Sequence, residues 1–139
     1  MQIIPIHPHK AYYWWESIEK ILLPAIKYAA GKYTIEDVKN DVMQNKSQVW
    51  IAYDGEIMGA AITQVANYPQ KDMLIVICLA GKSFELWDNK LVEELVLYAK
   101  RIKCKGIEFL GRSGWVKMAA HLGFKPIHYL YELAIKDEE

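Results

Sequence analysis

Several things are missing from this 139-residue chain, and each absence removes a class of function. No stretch reaches the roughly eighteen consecutive apolar residues of a membrane span, so a membrane protein is not expected. The opening MQIIPIHPHK lacks the basic-then-apolar layout of a secretion signal, which points to a cytoplasmic protein. Cysteine is scarce: Cys78 and Cys104 are the only two, both inside apolar patterns, with no Cys-x-x-Cys pair and no histidine pair at zinc spacing. Buried reduced thiols are expected rather than a disulfide framework. Net charge is also absent, because 17 Lys and Arg balance 17 Asp and Glu, and a nucleic-acid partner would usually require a basic excess. There is no Gly-x-Ser-x-Gly elbow, Walker loop, dinucleotide fingerprint or deaminase signature. His7 and His9 stand two apart on an extended segment, but no third ligand accompanies them, so no metal is expected. Without an internal repeat, low-complexity tract or linker, residues 1–139 read as one domain, long enough to bury a core unaided.

What the chain has in quantity is aromatic surface, with five Trp and nine Tyr, several of them crowded into AYYWWESIEK. Such residues serve cores more often than ligands. IIPIHPH reads as a short first strand, kept to an edge by Pro5 and Pro8. Helical spacing runs from Ala11 to about Tyr28, broken at Pro24. TIEDVKNDVMQNK predicts a second helix, with Thr34 as N-cap and acids in the first turn. QVWIAYDGEIMGAAITQVANYP is a hairpin around Asp54-Gly55. DMLIVICLAG, apolar on both faces at its middle, belongs at the centre of a sheet. A long amphipathic helix is predicted from Phe84 to about Lys103, then a short strand GIEFLG, a short helix SGWVKMAAHLG stopped by Gly123, and a last strand FKPIHYLYELAI before the acidic tail KDEE. The strand, long helix and strand from Asp72 to Leu110 form a crossover unit, which makes those two strands parallel neighbours. The fold class is α/β in the α+β sense: a mixed, mostly antiparallel twisted sheet of about six strands with four helices.

This order, together with the hairpin IAYDGEIMGAA and the closing string HLGFKP, resembles the GNAT (Gcn5-related N-acetyltransferase) superfamily over about residues 2 to 135. GKYTIEDVKNDV, AAITQVANYPQK and EFLGRSGWVKMAAHLGFKP further resemble small acetyltransferase-like proteins of bacteriophages. The resemblance implies a central splayed parallel strand pair, acetyl-CoA as cosubstrate, and an amine acceptor on a small molecule or protein. The cofactor would enter between strands 72–81 and 106–110, its pantetheine arm taking the place of a strand. The acceptor would come from the opposite side, over helices 11–28 and 34–46.

The family's cofactor loop, usually with two or three glycines, corresponds here to Leu79, Ala80, Gly81, Lys82, Ser83 and Phe84, with the single glycine Gly81. Two readings stand side by side. In one, Gly81 lets a phosphate approach the backbone, Lys82 adds charge, and Ser83 caps the helix or binds an oxygen, since a helix N-terminus favours an anion. In the other, Gly81 only permits a tight turn, Ser83 only caps, and Lys82 is solvated.

Acetyl transfer needs a deprotonated amine, an N–H for the oxyanion and a proton for the leaving thiolate. The tyrosine that the family often places before Leu-Gly-Phe is missing, because that turn offers Ala119 or Ala120. Glu108 can draw the amine's proton if it faces the cleft, or it can be a surface carboxylate paired with a lysine. Arg112 can hold a CoA phosphate or an acidic acceptor, or be solvated. Trp115 lies beside the expected cofactor, and Tyr33 and Tyr68 border the acceptor end, each with packing as the alternative role. A protein of this fold that has lost catalysis and works as a binding or structural component is the alternative function. The apolar last strand can also pair with another chain or pack into a homodimer.

Overall fold

The computed structural model describes residues 1–137; Glu138 and Glu139, the end of the acidic tail, lie outside the described residues. The chain opens with β1 (Gln2–Ile6), which tolerates Pro5 because it lies at one edge of the sheet. Helix α1 (Pro8–Ile26) starts earlier than the apolar spacing predicts: Pro8 occupies the first turn and His7 caps it, accepting from the His9 N–H at 3.3 Å. Pro24 does not break α1 where it stands. The helix runs two residues further and gives way to a 3-10 turn, Lys27–Ala29, ended by left-handed Ala30. In α2 (Ile35–Met43) the Thr34 hydroxyl accepts from the Asp37 N–H at 3.2 Å, and the Asp37 carboxylate accepts from the Thr34 N–H at 2.8 Å. This reciprocal cap satisfies two otherwise orphaned donors.

The hairpin strands β2 (Ser47–Tyr53) and β3 (Ile57–Asn67) pair antiparallel around Asp54–Glu56, where Gly55 takes a positive φ. Next come β4 (Asp72–Gly81), a 3-10 turn at Phe84–Leu86, α3 (Asp88–Arg101), β5 (Ile107–Phe109) and α4 (Val116–His121). Sheet order is β1-β2-β3-β4-β5, antiparallel throughout except for the parallel β4–β5 pair. Helices α1 and α2 cover one face through Trp15, Ile18, Leu22 and Val42, packed on Val49, Ile62 and Cys78. Helix α3 covers the other through Leu91, Leu95 and Ala99, packed on Trp50, Ala61 and Leu74. Each fully buried aliphatic contributes about 1.5–3 kcal/mol, enough to fix which face each helix takes. Cys78 and Cys104 are buried free thiols. No helix among the described residues is long and apolar enough to cross a membrane.

Three expectations are corrected. Among the described residues the sheet has five strands rather than about six, because residues 124–137 adopt no regular secondary structure and pair with no strand. Helix α3 begins at Asp88 rather than Phe84, after the separate 3-10 turn. Ser83 caps no helix: it adopts a left-handed conformation with φ 54°, and its side chain makes no capping bond. Its neighbour Gly81 answers a tertiary demand. With φ at 151°, a Cβ there would stand 2.4 Å from Gly59 Cα and 2.5 Å from the Met58 carbonyl oxygen, while a Cβ on Gly59 would meet the Trp87 ring at 2.3 Å. These two glycines allow β3, β4 and Trp87 to close together, so Gly81 is fixed by packing whatever else it does.

Candidate functional site

The parallel pair β4–β5 is short. Leu74, Ile75 and Val76 face Ile107, Glu108 and Phe109, and there the pairing ends, although β4 continues to Gly81. Immediately past the last pair, the β3–β4 register slips: Ile62 faces Cys78 and Thr63 faces Val76, leaving Ile77 as an extra residue. A bulge of this kind bends a strand and raises its twist, which is what separates β4 from β5. Beyond it, the Lys82 N–H donates to the Met58 carbonyl at 2.9 Å, so Lys82 faces β3. Antiparallel alternation then turns the peptide groups of Leu79 and Gly81 away from β3, toward the open side of the splay. The expected splayed pair is therefore present, with free backbone on its inner edge.

Several expected site residues gather around this opening. The Tyr33 hydroxyl donates to the carbonyl of the bulge residue Ile77 at 2.9 Å, and burial together with the neighbouring Cys78 raises its pKa. Glu108 is not paired with a lysine. Its carboxylate accepts from the Tyr68 hydroxyl at 2.5 Å, which raises the Tyr68 pKa chiefly by holding the phenolic proton. Ile107 packs into the α3-side cluster, so strand alternation points Glu108 to the opposite, α1–α2 face, where Tyr33 also packs. Glu108, Tyr68 and Tyr33 thus belong to one face of the splayed strands.

The β4–α3 turn is more constrained than its sequence implies. The Lys82 ammonium pairs with Glu56 at 2.6 Å, a surface ion pair with both partners largely exposed. The Lys82 carbonyl accepts from the Trp87 indole N–H at 3.0 Å. Asp88 is buried in the first turn of α3 and accepts the Asn89 N–H at 2.6 Å, so a carboxylate already occupies part of that helix terminus. By contrast, the N–H groups of Ser83, Phe84 and Glu85 have no protein acceptor among the described residues.

Phe84 ties this turn to the opposite wall: its ring lies 6.1 Å from Trp115, which lies 6.1 Å from Phe109. Trp115 therefore stands between the Phe84 turn and the end of β5. Arg112 stacks on Tyr28, 3.8 Å from the ring centre, joining the β5–α4 loop to the end of α1 and not to the Ser83 turn. Leu79 and Ala80 lie within β4, half-buried. An open hollow of about 440 Å³ beside His7, Tyr12 and Asn45 lies at the start of α1 and includes none of these residues. Sequence reasoning missed Ile77, Glu56, Trp87 and Tyr28. A bulge carries no residue signature, Glu56 and Tyr28 act through partners distant in the chain, and Trp87 acts by folding back on Lys82 and against Gly59.

No protein-family model matches the sequence, and no curated protein matches it. Among solved structures, a protein described as a probable acetyltransferase superposes with TM-score 0.75 at 12% identity, covering 99% of this chain and 100% of that one. A predicted acetyltransferase with acetyl-CoA from Clostridium acetobutylicum gives TM-score 0.69 at 14% identity, covering 96% and 95%. An aminoglycoside acetyltransferase from an uncultured soil metagenomic sample, in complex with sisomicin, gives TM-score 0.65 at 14% identity, covering 96% of each chain. Identity this low establishes the fold: a GNAT-like mixed α/β architecture, shared along the whole chain.

Proposed function

We propose that this protein is an N-acyltransferase that moves an acetyl group from acetyl-CoA to an amine acceptor by direct attack. The observation that carries the reading is the splay itself: a bulge at Ile77 ends the β4–β5 pairing and leaves the Leu79 and Gly81 peptide groups facing a gap. An arm bearing amides, such as pantetheine, fits that edge as an added strand would. The diphosphate end is supported less by the start of α3, where Asp88 stands, than by the turn before it. There the free N–H groups of Ser83, Phe84 and Glu85 lie beside Lys82, and successive free N–H groups form an anion-binding concavity. The Lys82–Glu56 pair is exposed, and such pairs hold only about 0–1 kcal/mol, so a phosphate can take the ammonium at little cost.

Acetyl-CoA supplies the acyl group as a substrate, and the chain's own side chains serve the amine. Glu108, oriented by the Tyr68 hydroxyl, accepts the amine's proton. The neutral amine attacks the thioester carbonyl, the C–N bond forms and the C–S bond breaks, and the departing CoA thiolate takes its proton from solvent to leave as the free thiol, since Ala119 and Ala120 offer no acid. Tyr33, anchored on Ile77, borders the acyl position. The soil acetyltransferase bound to sisomicin and the Clostridium protein with acetyl-CoA are similar in fold and support the same substrate classes here. A small-molecule amine is the acceptor class this favours.

A second reading has its own support. The buried Asp88 at the α3 terminus and the alanines at 119 and 120 favour a protein of this fold that binds without turnover, in keeping with the phage-like strings. One experiment separates the two: thermal unfolding with acetyl-CoA and with CoA, followed by label transfer to a panel of amines. A ligand at about a hundred times its Kd adds about 2.7 kcal/mol and raises Tm by several degrees. A Tm shift with label transfer supports the enzyme, and a shift without transfer supports the binding protein. No shift at millimolar ligand rejects both as CoA proteins.

A further inference from the structure

The proposed reaction gives Arg112 no task, yet the fold brings it to the acceptor side. Its guanidinium stacks on Tyr28, 3.8 Å from the ring centre, and lies 6.0 Å from the Trp115 ring. Lys27 approaches the same tyrosine, its ammonium 5.3 Å from the ring centre. Tyr28 belongs to the 3-10 turn that follows α1, and α1 covers the face toward which Glu108 points, so Arg112 reaches that face as well. A helix C-terminus favours one nearby cation. Here two cations share one ring, and among the described residues no carboxylate pairs with either. The chain around this meeting point is of one sign. Residues 21–35 and 109–131 carry Lys27, Lys32, Arg112, Lys117 and Lys125 and not a single Asp or Glu, in a protein whose formal charge is zero. Glu108 is the carboxylate that borders this basic region.

We infer that the acceptor is a small amine that also bears a carboxylate or a phosphate, with Glu108 taking the amine end and Arg112, helped by Lys27, taking the anion. The amine half of this assignment rests on the acyltransferase reading above; the anion half rests on the stacked guanidinium. Stacking is what leaves Arg112 able to bind. A guanidinium lying flat on a ring keeps its N–H donors in its own plane, directed past the ring's edge, where they match the two oxygens of a carboxylate or phosphate. Lys27 adds charge without fixing geometry. Arg112 follows Glu108 by four positions, so their Cα atoms lie at most about 14 Å apart. That span limits the acceptor to a compact molecule. An amine with further positive charge would meet like charge at Arg112 and Lys27, so the same cations that hold an anion reject a polycation.

The test compares amines that differ in the anionic group: phosphoethanolamine against ethanolamine, and aminobutyrate against butylamine. Calorimetry on the full-length protein with free CoA present reads binding without turnover. The anionic member of each pair is expected to bind at least about tenfold more tightly than its partner. Arg112→Gln should erase that preference, and Tyr28→Leu, which removes the platform, should narrow it. Lys10→Gln removes the same charge at the opposite end of α1, about 25 Å away, and should change the preference by less than about twofold. Equal affinity within each pair, a preference that survives Arg112→Gln, or no binding of any member at millimolar concentration overturns the inference. If Arg112→Gln does not keep the parent's circular dichroism, Tyr28→Leu decides in its place. Label transfer from acetyl-CoA to the same four amines keeps the two readings apart. Transfer with equal kcat/KM within each pair overturns the anionic acceptor and leaves the acyltransferase standing, whereas selective binding of the anionic members without transfer supports the site and removes the enzyme.

Discussion

Up to Cys104 the chain alternates buried and exposed side chains in both layers, whereas beyond Cys104 not one described residue is buried. The first region holds both core clusters and four of the five strands described; the second holds Glu108 on a three-residue strand, Arg112 in a loop and Trp115 at the end of a 3-10 turn that leads into α4. The difference teaches that Glu108, Arg112 and Trp115 stand apart from the packed core, whereas the β4 edge and the turn at Lys82 belong to it. These three residues sit where little packing holds them, and their positions depend on contacts to the thicker region: Glu108 on Tyr68, Arg112 on Tyr28, Trp115 on Phe84.

The strongest way to break this comparison is to truncate one tryptophan from each region. Trp87→Ala should cost about 3–5 kcal/mol, since the ring is fully buried against Gly59 and its indole N–H serves the Lys82 carbonyl. Trp115→Ala, half-buried, should cost under about 1 kcal/mol while weakening CoA binding; denaturant unfolding that gives equal losses would dissolve the distinction. Next in size, Glu108→Gln keeps an acceptor for Tyr68 but no base. Transfer should fall by about a hundredfold or more with Tm nearly unchanged, as read by steady-state rates beside calorimetry.

Alkaline pH probes the thick region alone. Burial pushes the Cys78 thiol from 9.0 up to about 11. A pKa raised by folding leaves stability intact below the unfolded value and removes it as pH climbs toward the folded one. Stability should therefore decline between about pH 9 and 11, by up to about 2.7 kcal/mol for two units, and Cys78→Ala should flatten that slope in pH-dependent urea melts. Smaller again, Tyr33→Phe leaves the Ile77 carbonyl without its donor and should cost about 1 kcal/mol. Lys82→Met should change stability by less than about 1 kcal/mol, because its ion pair is exposed, yet raise the Kd for CoA in calorimetry.

The elements that local chemistry specifies were legible in the residues. Thr34 and Asp37 announce the start of α2, Asp54-Gly55 announces the hairpin, and the doubly apolar run 72–81 announces an interior strand beside a crossover partner. Boundaries that depend on three-dimensional fit were not. Phe84 begins a helical spacing, but Ser83 goes left-handed and Trp87 folds back to bond Lys82, which delays α3 to Asp88. FKPIHYLYELAI has strand chemistry, but chemistry alone does not supply the neighbour that a strand must bond.

The sequence by itself determined the two N-terminal helices, the hairpin, the central strand and the crossover that makes β4 and β5 parallel, because hydrophobic period, capping and crossover handedness are local or nearly so. Only the tertiary structure decided that Gly81 serves the closure on Gly59 and Trp87, that Ile77 bulges where β4 leaves β5, and that Tyr68 meets Glu108 across forty residues of chain. Those facts arise from contacts between distant segments, and the spacing of residues along one chain does not encode the distance between two.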